Sequence, residues 1–159
     1  MVYETDSKNF VWNALERKLK LGFIASSDHR STHMSFAAVY VKEFDRNSIF
    51  DGLYARRTYA ATDKIFVDFT IGGHMMGEDI EAGRTPELNI AVEGTADIAR
   101  IDIVKNNTFV YTSHPNARKV AFTFRDHQYL GDDAYYYVRV IQSDRNMAWA
   151  SPIWVRQRR

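Results

Sequence analysis

The stretch GFIASSDHRSTH, residues 22–33, sets Asp28, His29 and His33 behind an apolar run. Carboxylate oxygen and imidazole nitrogen are the usual protein ligands of a hard or borderline divalent metal, which makes Asp28 and His29 the candidate ligands. A metal centre takes three or four protein ligands, however, and His74, His114 and His127 stand isolated, with no HxH pair. The segment supplies part of a site. His29 and His33 also read H-x-x-x-H, but Arg30 stands where the glutamate of a zinc protease would follow. Without a metal, Asp28 reads as the cap of a turn at a strand end. A second candidate is Arg56 with Arg57, whose guanidinium groups could grip an anionic substrate oxygen, or complement a helix C-terminus and pack between elements.

The elements that must position these groups follow from periodicity. Leu21, Phe23, Ile24 and Ala25 form a nearly continuous apolar block, which predicts a strand over about 21–26, covered on both faces, with Asp28 at its carboxyl end. Ahead of it a helix over 8–20 is predicted, capped by Asp6 or Ser7, with Val11, Trp12, Leu15 and Leu19 on one face. A strand at 36–41 follows, then a helix over 46–57 capped by Asp45, with Ile49, Phe50, Leu53 and Tyr54 in a stripe.

From residue 64 the period changes to two. IFVDFTI turns Ile65, Val67, Phe69 and Ile71 to one face, and runs at 88–94, 98–106, 108–112, 119–126, 135–142 and 148–155 follow. The turns between them carry GG, NN, HPN, GDD and DRN, while Gly72 to Gly77 reads as a loop. The expected fold class is mostly β with an N-terminal α/β piece: residues 1–63 read helix, strand, strand, helix, and 64–159 an immunoglobulin-like antiparallel β-sandwich of seven strands. Its expected core is Val67, Phe69, Ile90, Val92, Ile101, Ile103, Phe122, Phe124, Val138 and Val140.

Composition excludes several classes. With 21 basic and 20 acidic residues in 159 there is no field to attract nucleic acid, and only the VRQRR tail is locally basic. The longest apolar run, FAAVYV, falls far short of the ~20 residues of a membrane span, and the N-terminus shows no signal-peptide pattern. These features leave the compartment, cytoplasmic or extracytoplasmic, open. Cysteine is absent, so thiolate chemistry is excluded.

The strings DGLYARRTYAATDKI and YYYVRVIQSDRNMAWASPIWV resemble the C-terminal region of a branch of the PHP (polymerase and histidinol phosphatase) superfamily of metal-dependent hydrolases, related to bacterial carbamate hydrolases. The resemblance implies that residues 1–63 are the end of a PHP-type α/β barrel, and that the cofactor of the parent protein is zinc or manganese, bound weakly or not at all by this chain alone. It carries Asp28 over as a ligand. The family's ligand pattern is Asp-x-His, whereas here the histidine is the adjacent His29 and Arg30 stands two places on. The implied function is the C-terminal portion of a hydrolase of phosphoesters, amides or carbamates, inactive alone, with the remainder of the barrel as its partner. The alternatives are a free-standing β-sandwich module binding carbohydrate or protein through Tyr136, Trp149 and Trp154, and a homodimerisation domain.

Overall fold

The computed structural model of the chain describes residues 10–27, 33–83, 85–128 and 133–157. Within them the order is α1 (Val11–Glu16), β1 (Phe36–Val39), α2 (Arg46–Tyr54), β2 (Thr58–Ala61), β3 (Phe66–Ile71), β4 (His74–Met75), β5 (Asp79–Ala82), β6 (Glu87–Lys105), β7 (Thr108–Ser113), β8 (Ala117–Arg125), β9 (Asp133–Gln142), β10 (Met147–Ala150) and β11 (Ile153–Gln157).

The architecture turns on β6, whose 19 residues serve two neighbourhoods. Its first half pairs with β3 and β8, its second half with β7 and β9. From β9 the sheet runs through β10 and β2 to β1, while β11 joins β9 to β5; only the β11–β5 pairing is parallel. The register of β6 against β8 shifts between Glu93 and Ile98, where Gly94 admits close neighbours: a Cβ there would meet Ile98 Cδ1 at 2.7 Å. At this bend the sheet curls, and the alternating residues of both halves meet in one core that includes Val67, Phe69, Leu88, Ile90, Val92, Ile101, Ile103, Tyr136, Val138 and Val140. The Asn-Asn turn after β6 works as its chemistry suggests, Asn106 and Asn107 both taking positive φ, 47° and 60°.

Several expected elements are redrawn. The runs at 88–94 and 98–106 are one strand, because the chain bends through Gly94 without leaving the sheet. The run at 148–155 is two, parted at Ser151-Pro152, where proline has no N–H for a ladder. RRTYAATDK contains the wholly buried β2, held between β1 and β10, and the glycine-rich loop contains β4 and leads into β5. Phe122 and Phe124 lie only half-buried on β8, against Tyr111 at ring separations of 5.6 and 5.0 Å. Phe124→Ala is therefore expected to cost about 1–3 kcal/mol in urea unfolding, rather than the 3–5 of a sealed core phenylalanine.

The N-terminal piece departs further. Residues 21–27 are extended but join no ladder. They alternate, with Phe23 buried against Tyr137 and Leu21 and Ile24 exposed, so the predicted doubly covered strand is a single-faced strap over the outside of the sheet. The Phe23 N–H donates to Ser151 Oγ at 2.7 Å and fixes it there. α1 stops at Glu16, the chain turning at Lys18 with φ 62°, and of its expected stripe only Leu15 is buried. The caps proposed at Asp6 or Ser7 lie outside the described residues. α2 begins as expected, Asp45 Oδ1 accepting the Ser48 N–H at 2.8 Å, but ends at Tyr54.

Candidate functional site

Two serines, Ser27 and Ser35, flank in sequence the segment with the candidate ligands. Ser27 Oγ accepts the N–H of Met34 at 3.1 Å and of Ser35 at 2.8 Å. The strap and β1 are thereby joined around residues 28–34. Asp28 and His29 lie outside the described residues, and His33 is exposed.

Among the described residues no group of three His, Asp or Glu side chains is placed to hold a metal ion. His74 Nδ1 is 2.9 Å from Glu78 Oε2, and His114 Nδ1 is 3.0 Å from the Ala99 carbonyl oxygen. His127 lies by Glu87 and Arg125. The donor types of Asp28 and His29 suit a divalent ion; their number falls short of a site, and the described residues do not make it up.

Arg56 follows the C-cap of α2 with φ 58°, a position where glycine is usual. The turn closes through the Arg57 N–H, which donates to the Gly52 carbonyl at 2.9 Å. The Arg56 side chain is occupied: Nε donates to the Gly77 carbonyl at 3.1 Å, and the guanidinium lies 5.4 Å from the centre of the Trp154 ring. Arg57 keeps donor capacity, its Nε buried without a hydrogen-bond partner and its nearest carboxylate oxygen, on Glu78, 3.9 Å from the terminal nitrogen. The Arg57 side chain is 39% exposed, so its terminal nitrogens, and not the buried Nε, are the donors it can present to an anion. Arg56 braces the end of α2 against β11.

A cleft of about 350 Å³ opens beside α1, with Leu15, Tyr135 and Trp154 on its apolar side and Lys18, Lys20, Asp79 and Arg156 among its charged lining. Two of its cations, Lys20 and Arg156, share the single carboxylate of Asp79. Burial, with smaller contributions from Tyr137 and Glu16, pushes the Tyr135 phenol up to about 12, so it stays protonated at neutral pH. This cleft escaped sequence reasoning because its walls come from α1, β5, β9 and β11, which no local pattern links.

The aromatic residues considered for a glycan platform are packed inside: Tyr136 and Trp154 are buried and Trp149 is half-buried. These three residues, on β9, β10 and β11, therefore form no aligned row of exposed rings. No helix among the described residues is long and apolar enough to cross a membrane.

No protein-family model matches the chain. An uncharacterized protein of Chlamydia trachomatis serovar D is 33% identical over 184 residues, covering 94% of this chain and 30% of the relative. Similar proteins of Chlamydia muridarum and Chlamydia pneumoniae are 32% and 28% identical, with 30% and 29% of their lengths covered. The chain is a β-rich protein with bacterial relatives, and it spans about 30% of the length of those it matches.

Proposed function

We propose that the chain acts as the C-terminal portion of a PHP-like metal-dependent hydrolase. In this reading Asp28 and His29 form one ligand segment, residues 1–63 adjoin the end of the barrel while lending β1 and β2 to the curled sheet, and that sheet is an immunoglobulin-like sandwich bracing the barrel. The observation that carries the reading is one of proportion: a chain with too few ligands for a metal site matches, over 94% of itself, only 30% of a much longer relative. The remaining ligands would then come from the rest of the polypeptide. Zinc or manganese, when bound, would activate water for attack on a phosphoester, amide or carbamate. This chain's own part is to present the loop from the Ser27–Ser35 clasp and to offer Arg57 as an anion contact.

Titration calorimetry and hydrolysis of generic phosphoesters with added zinc or manganese test this. The isolated chain is expected to show no stoichiometric sub-micromolar site and no turnover above background, because two ligands without their supporting groups bind weakly. The full-length C. trachomatis relative is expected to hold metal stoichiometrically. A tight one-to-one site in the isolated chain, or turnover that survives Asp28→Ala, overturns the proposal.

A further inference from the structure

α2 lies on β1 backbone to backbone. A Cβ built on Gly52 would come within 2.6 Å of Val39 Cγ2 and 2.8 Å of the Tyr40 carbonyl oxygen, so glycine permits the approach and the helix turns its large side chains elsewhere. Phe50, Leu53 and Tyr54 are 65%, 47% and 80% exposed, and Phe44, just ahead of the helix, is 94% exposed. The Phe50 and Tyr54 rings stack on one another at 6.3 Å with nothing over them among the described residues.

The strand under this helix is equally unfinished. β1 pairs with β2 along one edge, and no backbone hydrogen bond among the described residues reaches the other. Its sequence, FAAV, has none of the lysines or prolines that usually protect an open edge. A groove of about 330 Å³ runs beside it, lined by Phe36, Ala38, Tyr59, Ile65 and Phe66 among others. An open edge and an uncovered helix stripe thus occur on two adjoining elements, with a groove, apolar except for Asp63 and Lys64, reaching from β1 across β2 to Phe66.

We infer that α2 and the free edge of β1 form one docking surface, covered by an extended strand and an apolar face from the rest of the longer polypeptide. The inference rests on the reading above that the chain works as part of such a polypeptide, and it names where the two parts meet. Size favours a tethered occupant over a second copy. Phe44, Phe50, Leu53 and Tyr54 together expose about 600 Å², so the helix stripe on its own falls below the roughly 800 Å² per partner of a stable free complex. A tether supplies effective concentration in place of area. The relatives provide the chain: 30% of their length is matched and the larger part lies outside.

Hydrogen exchange read by mass spectrometry tests this on two intact proteins, the present chain and the full-length C. trachomatis relative. The expected result is at least tenfold slower exchange in the relative over the segment aligned with residues 36–54, and a monomeric mass for the present chain in solution. In the present chain, Phe50→Gln with Tyr54→Gln is expected to lower the melting temperature only slightly, since beyond their contact with each other the two rings pack on nothing among the described residues. Equal exchange in the two proteins overturns the inference, while the relative's metal content still decides the functional reading independently. A dimer of the present chain that protects residues 36–54 overturns it in favour of a second copy, and a large loss of stability in the double variant overturns it by making the stripe internal core.

Discussion

Asp126→Ala is expected to lower the stability of the chain by about 3–5 kcal/mol, the usual cost of removing one member of a buried ion pair. Asp126 is buried just beyond β8, where its Oδ2 accepts from Lys105 Nζ and from the Tyr136 hydroxyl, both at 2.7 Å, and its Oδ1 from the Gln128 N–H at 2.8 Å. Without the carboxylate, an ammonium group whose side chain is only 10% exposed and a phenol in the sealed core are left without that acceptor. Tyr136→Phe should cost far less, about 1 kcal/mol, because it removes one donor and leaves the ion pair. Urea unfolding of the three proteins checks the ranking; equal losses would show that the pair contributes nothing beyond a single hydrogen bond.

The same carboxylate makes stability depend on pH in a known direction. Burial alone would raise its pKa, but the hydrogen bonds from Lys105, Tyr136 and Gln128 outweigh burial and hold it below the ordinary carboxylate value. Asp102 is held low in the same way against its own burial, by Thr112, Arg100 and Arg139. A depressed folded pKa means that the unfolded chain takes up protons first. The stabilisation is therefore complete above about pH 5 and is lost as pH falls through the unfolded value near ~3.9 toward the lower folded values. Melting temperatures should hold steady from neutral pH to about 5 and fall steeply below ~4, with a shallower fall in Asp126→Asn.

These two carboxylates show where sequence reasoning reaches its limit. Period two places Ile101 and Ile103 inward and Asp102 between them outward, which is correct for the sheet face. What the pattern cannot show is that the outer face is itself covered, by Leu15, Phe23, Val104, Tyr137 and Trp154. The strap misled for a related reason: Leu21, Phe23, Ile24 and Ala25 read as a strand hidden on both sides, whereas Phe23 and Ala25 pack inward and the others face out. β2 was hidden because TYAA, between two arginines and a Thr-Asp pair, carries small residues that need a close fit on both edges rather than a strong hydrophobic signal. The legible parts were those in which local chemistry and final environment agree, such as β3, the Asn-Asn turn and the Asp45 cap. Of the proposed site, only the residue types of Asp28 and His29 were legible; any further ligands would lie far off in sequence, where they leave no local pattern.

Asp102→Ala should cost about 2–4 kcal/mol, and the reason it ranks below Asp126→Ala is the solvent access of its partners. Asp102 is fully buried; Oδ1 accepts from Arg100 Nε and Thr112 Oγ1, both at 2.7 Å, and Oδ2 from two nitrogens of Arg139 at 3.0 and 2.7 Å. When the carboxylate goes, Arg139 retains water on a side chain 26% exposed and keeps its place 4.7 Å from the Phe109 ring centre, so its charge is not stranded as that of Lys105 would be. The reverse truncation is the sharper test. Arg139→Met strips the buried carboxylate of its two-point partner and leaves it only Arg100 and Thr112, so it should cost at least as much as Asp102→Ala, although the arginine is the more exposed member. In the double variant Asp102→Ala, Arg139→Met the two costs should fall well short of adding, with a coupling of about 1–3 kcal/mol. Additive losses would mean that the two side chains stabilise the sheet independently and that the guanidinium–carboxylate geometry contributes little to joining β9 to β6.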